Sequence, residues 1–109
     1  MSRSTFPGFG KFGGHDLGEN ESTFDFLKWS IAGMLNMNMF GVPLSGAYVC
    51  GYSGAATDDL CSRWYQLAAF TPFLHNHNGD ATAQHPWSFA TNFTLYAARG
   101  AARQRYAWM

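Results

Sequence analysis

The clearest secondary-structure pattern of the chain lies in residues 41–78, which read GVPLSGAYVCGYSGAATDDLCSRWYQLAAFTPFLHNHN. Residues 42–47 are small and apolar, as expected of a buried parallel strand. A helix should begin after Thr57, which is a suitable N-cap and precedes two acids in the first turn. Its apolar side chains recur at helical spacing: Leu60, Trp64, Leu67 and Ala68. Residues 71–74 predict a second strand, and the polar residues 75–78 follow it. The segment therefore predicts a βαβ unit, in which ligands bind beyond the carboxyl ends of the strands.

Two more helices are predicted on either side of this unit. Residues 23–39 have Thr23 as a cap and one apolar face: Phe24, Leu27, Ile31, Met34, Leu35 and Met39. Residues 79–84 form a polar loop, after which Pro86 can start a helix. Residues 90–108 are Ala-rich and helical, with a packed face of Phe93, Tyr96, Ala97, Ala101 and Tyr106. Residues 1–22 are rich in glycine and predict a loop, with short strands at most.

The order loop, helix, strand, helix, strand, helix indicates the α/β class. It fits part of a (β/α) barrel or a small α/β sheet, and residues 1–109 make one domain with no second one. Charged residues are only 13% of the chain, while aromatic residues are 17%. So low a charged fraction favours a fragment of a larger protein, in which other parts cover its faces. The alternative is a small, poorly soluble domain.

Charge and motif content exclude several function classes. The formal net charge is zero, which argues against nucleic acid and anionic membranes as partners. Apolar runs do not approach the roughly 20 residues of a membrane span, and we expect no signal peptide in this chain. Two cysteines without a second pair, and histidines without matching spacing, predict no metal site. We also expect no cofactor.

Cys50 and Cys61 are the two cysteines of the chain. A bridge between them would contribute roughly 2–3 kcal/mol, and the alternative is a pair of buried free thiols. Two potential glycosylation sequons begin at Asn20 and Asn92. The short loop and the sequons favour a disulfide and the secretory pathway, whether extracellular, vacuolar or lysosomal.

A set of short phrases occurs in a fixed order along the chain: RSTF (3–6), GGH (13–15), GEN (18–20), GVPL (41–44), CGY (50–52), LCSRW (60–64), QLAAF (66–70), PF (72–73), NHN (76–78) and QHPW (84–87). Together they resemble the second half of the catalytic barrel of glycoside hydrolase family 31, the α-glucosidases. The resemblance covers nearly the whole chain. Each phrase is weak alone, but the ordered set with its spacing is specific.

The resemblance implies a partial TIM (β/α)8 barrel of about the last three to four βα units. It implies a parent enzyme that hydrolyses α-linked glucosides or oligosaccharides with retention, using two carboxyl groups. The nucleophile of the family lies upstream of Met1, so the isolated chain should be inactive without the N-terminal part of the barrel. The cysteine pair matches a disulfide of the family.

The resemblance also assigns site residues. Glu19 matches the acid/base position, where the family has Asp. Arg3 matches a substrate-binding arginine, His77 a histidine that binds sugar hydroxyls, and Tyr52 an aromatic wall that is usually Phe.

Other pocket positions depart from the family pattern. Asp16 replaces a Trp, and Tyr48 replaces an Asp that accepts hydrogen bonds. His75 replaces an Arg, and His85 replaces a Glu. These changes leave two alternatives to an enzyme fragment, namely a carbohydrate-binding pseudoenzyme and a non-functional half-barrel remnant.

Overall fold

A computed structural model describes residues 1–79 and 83–107. Its elements are a 3₁₀ turn (Phe9–Lys11), β1 (His15–Asp16), α1 (Phe24–Met39), β2 (Ser45–Gly46), α2 (Asp58–Ala68) and α3 (Phe93–Ala107). The predicted loop 79–84 lies partly outside the described residues, and so does the predicted helix end at residue 108. Within the described part of the chain, the helices are too short or too polar to cross a bilayer.

The two strands are parallel and enclose α1 rather than α2. His15 pairs with Ser45 and Asp16 with Gly46. The βαβ unit predicted around α2 is reduced to one parallel bridge between Tyr48 and His75, and the predicted strand 42–47 shrinks to two residues. Within the described residues, β2 pairs with a strand on one side only. An isolated pair of strands is marginally stable, which agrees with the short length of β2.

The predicted strand 71–74 is wrong. The Thr71 hydroxyl lies 3.2 Å from the carbonyl oxygen of Ala68 and 2.8 Å from that of Phe73, which turns the chain at the end of α2. The chain nevertheless returns to β2 after this turn. The two segments pass so closely that a Cβ added at Gly46 would lie 2.6 Å from the Phe73 carbonyl oxygen. A single parallel bridge between Tyr48 and His75 is all that forms there.

Side-chain caps start the first two helices, as the sequence predicts. The Thr23 hydroxyl accepts from the N–H of Phe26, and the Thr57 hydroxyl accepts from the N–H of Leu60. These two predictions are confirmed. Pro86 lies in a turn rather than at a helix start, and α3 begins seven residues later at Phe93.

The core lies between α2 and the segment that follows β2. Its members are Ala47, Val49, Cys50, Leu60, Cys61, Trp64, Tyr65 and Ala68. Cys50 and Cys61 form the disulfide, with Cα atoms 4.6 Å apart, and both are fully buried. The bridge thus joins the segment after β2 directly to the first turn of α2.

α3 packs against α2 through its small side chains rather than its aromatic ones. Ala101 is buried and Ala97 packs against the core, as predicted, and Thr94 is buried as well. Phe93, Tyr96 and Tyr106 are exposed, so the aromatic part of the predicted packed face was wrong. Thr94 binds Asp58 at the start of α2, and Arg105 binds the carbonyl oxygens that follow the end of α2.

The apolar face of α1 is mostly exposed, contrary to the sequence prediction. Leu35 is 62% exposed and Met39 is 84% exposed, and Ser30 is the buried residue of this helix. The helix contacts β2. An apolar stripe of this kind predicts burial only where a partner element is present, and the described residues supply none for its outer side.

Candidate active site

Asp16 and Tyr48 meet where the two parallel strands end. Asp16 closes β1, is 8% exposed, and its Oδ1 accepts from the N–H of Gly18 at 2.9 Å. The pKa of Tyr48 is raised, first by the interaction of its hydroxyl with the Asp16 carboxylate and then by burial. Carboxyl ends of parallel strands are the usual position of ligand sites in α/β folds.

Arg3 and Glu19 form an ion pair beside this position. Arg3 Nη1 donates to Glu19 Oε1 at 3.1 Å, and the two side chains are 60% and 53% exposed. Gly18, between Asp16 and Glu19, has φ of +104°, which a glycine adopts without strain. A Cβ added there would lie 3.3 Å from the Arg3 guanidinium, so Arg3 crosses over Gly18 to reach Glu19.

Three rings gather on the other side of Tyr48. Its ring centroid lies 5.5 Å from that of Tyr52, 5.4 Å from His75 and 5.9 Å from His77. His75 and His77 stack at 5.5 Å with nearly parallel planes. A Cβ on Gly79 would collide with the ring of Tyr52, so the chain passes close to that ring after His77.

Tyr48 is therefore the residue around which the other five predicted sugar-site positions assemble. The Asp16 carboxylate raises the pKa of its hydroxyl, and Tyr52 and His77 contact its ring. Arg3 and Glu19 are close enough that the Arg3 charge lowers the pKa of Tyr48 and the Glu19 charge raises it. Residues separated by up to 74 positions in sequence thus share one region of the surface.

A cleft of about 360 Å³ opens beside the Arg3–Glu19 pair. Its polar wall includes Arg3, Glu19 and Asn20, and its apolar wall includes Phe26 and Trp29 of α1. The rings of Tyr48, Tyr52 and His77 do not line this cleft. The Glu19 carboxylate thus lies at the boundary between the ring cluster and the cleft.

Asn20 has a structural role that the sequence analysis missed. Its side chain is 6% exposed; Nδ2 donates to the Tyr48 carbonyl oxygen at 3.0 Å and Oδ1 accepts from the Tyr48 N–H at 3.2 Å. A glycan on Nδ2 is incompatible with this packing, so the Asn20 glycosylation prediction is not carried further. Asn92 is exposed at the start of α3, and its glycosylation stays a prediction.

A second buried amide network also escaped the sequence analysis. Gln84 Nε2 donates to Asn76 Oδ1 at 2.8 Å and to the carbonyl oxygen of Gly51 at 3.0 Å. Asn76 Nδ2 donates to the hydroxyl of Tyr65 at 2.9 Å. Asn76 and Gln84 both lie in recognisable phrases of the sequence, but only the fold shows that they bind each other. The network holds the segment before His77.

The arrangement can bind and protonate a neutral polar ligand. Glu19 is the exposed carboxyl group, with a cation at hydrogen-bond distance, and the rings offer flat apolar surface beside hydrogen-bonding nitrogens and hydroxyls. Asp16 is buried and hydrogen-bonded, which suits an anchor rather than a second reacting carboxylate. One exposed carboxyl group is suited to general acid/base catalysis but does not complete a two-carboxylate mechanism.

Comparison with known proteins identifies the lineage. The family model described as "Glycosyl hydrolases family 31 TIM-barrel domain" matches residues 1–109. The alpha-glucosidase of Mucor javanicus is 47% identical over 107 residues, which cover 97% of this chain and 12% of the relative. The lysosomal alpha-glucosidase of Rattus norvegicus is 44% identical over 108 residues, covering 98% of this chain and 11% of the relative.

A solved structure gives the same result. The glucosidase II alpha subunit with bound Glc1Man2 superposes with a TM-score of 0.81 at 33% identity, over 91% of this chain and 11% of that one. The chain spans about a tenth of the length of these relatives. The family model relates the two-stranded α/β piece seen here to a TIM-barrel domain.

Proposed function

This chain belongs to glycoside hydrolase family 31, and from that premise we propose that it forms part of the catalytic barrel of a retaining α-glucosidase. In this role residues 1–109 supply about the last three to four βα units of the barrel. The substrate is an α-linked glucoside or oligosaccharide. The carboxylate nucleophile comes from the part of the barrel outside these residues, so the 109-residue chain alone is inactive.

The observation that carries the proposal is the position of Glu19. Its carboxyl group lies in an ion pair with Arg3 and beside Tyr48, at the end of two parallel strands. An acid/base residue must reach the glycosidic oxygen, and the exposure of this carboxyl group allows it. Arg3, Tyr52, His77 and Tyr48 surround it as the proposed sugar-binding residues. Asp16, the sixth predicted position, is buried and hydrogen-bonded to Gly18, so we propose it as a support for them rather than as a sugar contact.

The exposed apolar side of α1 supports the proposal that a further part of the barrel covers this piece. Trp29, Leu35 and Met39 lie on that helix with most of their surface in solvent. An outer helix of a barrel packs against its neighbouring helices and on the strands. The missing N-terminal part of the barrel is therefore the proposed partner.

The secretory pathway is the proposed location of the parent protein. The buried Cys50–Cys61 bridge supports it, since disulfides persist in oxidising compartments. The exposed Asn92 sequon supports it as well. One of the relatives is named as a lysosomal enzyme, which supports the lysosome among the extracellular, vacuolar and lysosomal alternatives.

A carbohydrate-binding pseudoenzyme is the second candidate, and the Asp16–Tyr48 contact favours it. The tyrosine ring fills a position at which the family has a short acid, and its hydroxyl is already engaged by Asp16. Calorimetry with maltose, glucose and an iminosugar separates the two candidates, because binding without turnover supports only the pseudoenzyme.

The proposed function is tested by comparing the longer protein that contains these residues with residues 1–109 alone. Both are incubated with 4-nitrophenyl α-glucoside, and the product anomer is followed by NMR. We expect turnover with initial release of α-glucose from the longer protein and none from the short chain. Absence of turnover in the longer protein, or release of the β-anomer, would overturn the proposal.

A further inference from the structure

Asp16 is a buried carboxylate with no ion-pair partner in the part of the chain that the structure describes. The ion pairs among the described residues are Arg3–Glu19 and Arg63–Asp59, and neither includes it. Removing an ionised carboxylate from water costs free energy unless hydrogen bonds replace the water. The groups that provide those bonds to Asp16 therefore indicate what its burial accomplishes.

The first such group is the N–H of Gly18, which donates to Oδ1 at 2.9 Å. The N–H of Asn20 in turn donates to the Gly18 carbonyl oxygen at 3.0 Å. These two bonds close a tight turn that contains Glu19 between its two ends. The carboxylate of Asp16 thus defines the backbone from which the Glu19 side chain extends toward Arg3.

The second group is Tyr48 at the neighbouring strand end, and the Asp16 carboxylate raises the pKa of its hydroxyl. The backbone of Tyr48 is held by the amide of Asn20, through one bond to its carbonyl oxygen and one from its N–H. Tyr48 is consequently tied at its backbone to the turn that contains Glu19, and that turn is held at its other end by Asp16. Its ring then contacts His77 at 5.9 Å.

We propose that Asp16 is a positioning residue that holds the Glu19 turn and the Tyr48 ring in a fixed relation to each other. The acid/base role of Glu19 rests on the proposed function above. The hydrogen bonds that hold the Glu19 turn do not depend on that proposal. Asp16 itself does not touch the substrate in this scheme. It sets where the proton donor stands relative to the rings that bind the sugar.

This role makes the hydrogen bonds of Asp16 more important than its charge. Asp16→Ala removes the bond from the Gly18 N–H and the carboxylate beside Tyr48, while Asp16→Asn keeps an acceptor for Gly18 and a polar group near the Tyr48 hydroxyl. A displacement of about 1 Å can cost a hundredfold in rate. We therefore expect kcat to fall about 100-fold in Asp16→Ala and less than 10-fold in Asp16→Asn, with KM within about threefold in both.

The experiment uses the longer active protein for kcat and KM, and residues 1–109 for the pKa of Tyr48, measured by NMR of ring-labelled tyrosine. Tyr48→Phe serves only to assign the resonance. Asp59→Asn is the matched control, since Asp59 is an exposed carboxylate paired with Arg63 on α2. The pKa of Tyr48 should fall in both Asp16 variants and stay unchanged in Asp59→Asn.

The outcomes separate this inference from the proposed function. Wild-type kcat and an unchanged pKa of Tyr48 in Asp16→Ala would overturn it. So would equal losses in Asp16→Ala and Asp16→Asn that follow the loss of folded protein in thermal unfolding, because Asp16 would then be merely structural. If the longer wild-type protein hydrolyses no glucoside, the proposed function fails, and the pKa of Tyr48 in the variants decides this inference alone.

Discussion

Asn20 and Tyr48, 28 residues apart in sequence, exchange two hydrogen bonds between the side chain of one and the backbone of the other. The carbonyl oxygen of Asn20 also accepts from the N–H of Tyr52. Asn20 thereby fastens the Glu19 turn to the segment that bears two of the site rings. The site is built on side-chain-to-backbone bonds because β1 and β2 are only two residues long each.

Replacing Asn20 should lower the free energy of unfolding, although Asn20 is a small residue. Asn20→Ala leaves the partly buried N–H of Tyr48 without its partner, which costs about 1–3 kcal/mol, while the Tyr48 carbonyl oxygen still accepts from the N–H of Gly51. Urea denaturation followed by circular dichroism measures this difference. Asn36→Ala, on an exposed position of α1, is the control and should change stability by less than about 0.5 kcal/mol. Equal stability of the two variants would contradict the assigned role of Asn20.

The start of α3 depends on a bond to the start of α2. Thr94 is fully buried, and its hydroxyl lies 2.5 Å from Asp58 Oδ1, to which the N–H of Thr94 also donates at 3.0 Å. Thr94→Val keeps the shape and removes the hydroxyl, so we expect a loss of about 1–3 kcal/mol in the free energy of unfolding. Thermal unfolding tests this, with the exposed Thr91→Val as the control. A loss of the same size in the control would show that the bond is not the cause.

Reducing the disulfide should lower the stability of the core, because the bridge joins α2 to the segment that follows β2. The Cys50–Cys61 bridge closes a loop with a sequence separation of 11, which corresponds to about 2–3 kcal/mol. We expect dithiothreitol to lower the melting temperature of the wild type. The double variant Cys50→Ala/Cys61→Ala should melt lower and show no response to the reductant. A wild type that is equally insensitive would indicate free thiols.

The helix starts could be predicted from the sequence, whereas the burial of α1 and the contacts between distant residues could not. Thr23 and Thr57 predict two helix starts because a cap acts on an N–H three residues away. The burial of α1 and the strand at residues 71–74 do not follow, because each depends on elements that pack from elsewhere. The site residues were named through the family resemblance, yet the contact between Asp16 and Tyr48 depends on the pairing of β1 with β2 and appears only in the fold.

Stability should decline at high pH through two tyrosines. Burial raises the pKa of Tyr65, although the hydrogen bond from Asn76 lowers it in part, and the bond to Asp16 raises the pKa of Tyr48. A raised pKa in the folded state means that the unfolded chain loses its phenolic proton first. Stability is therefore fully present below pH 10 and falls as the pH rises through the folded pKa. Urea midpoints between pH 8 and 11 should show this fall.

Tyr65→Phe is the variant that tests the alkaline prediction. It removes one of the two titrating groups, so the midpoint should decline less steeply above pH 10 than in the wild type. The control is Tyr106→Phe, because Tyr106 is 75% exposed and should leave the slope unchanged. An identical slope in Tyr65→Phe and the wild type would contradict the prediction.

The central claim is that Glu19 is the acid/base residue of a shared sugar site, and the choice of leaving group tests it most directly. In the longer protein, kcat/KM of Glu19→Gln is compared for maltose and for 4-nitrophenyl α-glucoside, with Glu21→Gln as the control. Nitrophenolate leaves without a proton, so we predict a loss of about 10²–10⁴ for maltose and a clearly smaller loss for the nitrophenyl substrate. Equal losses for both substrates, or wild-type rates on maltose, would contradict the assignment.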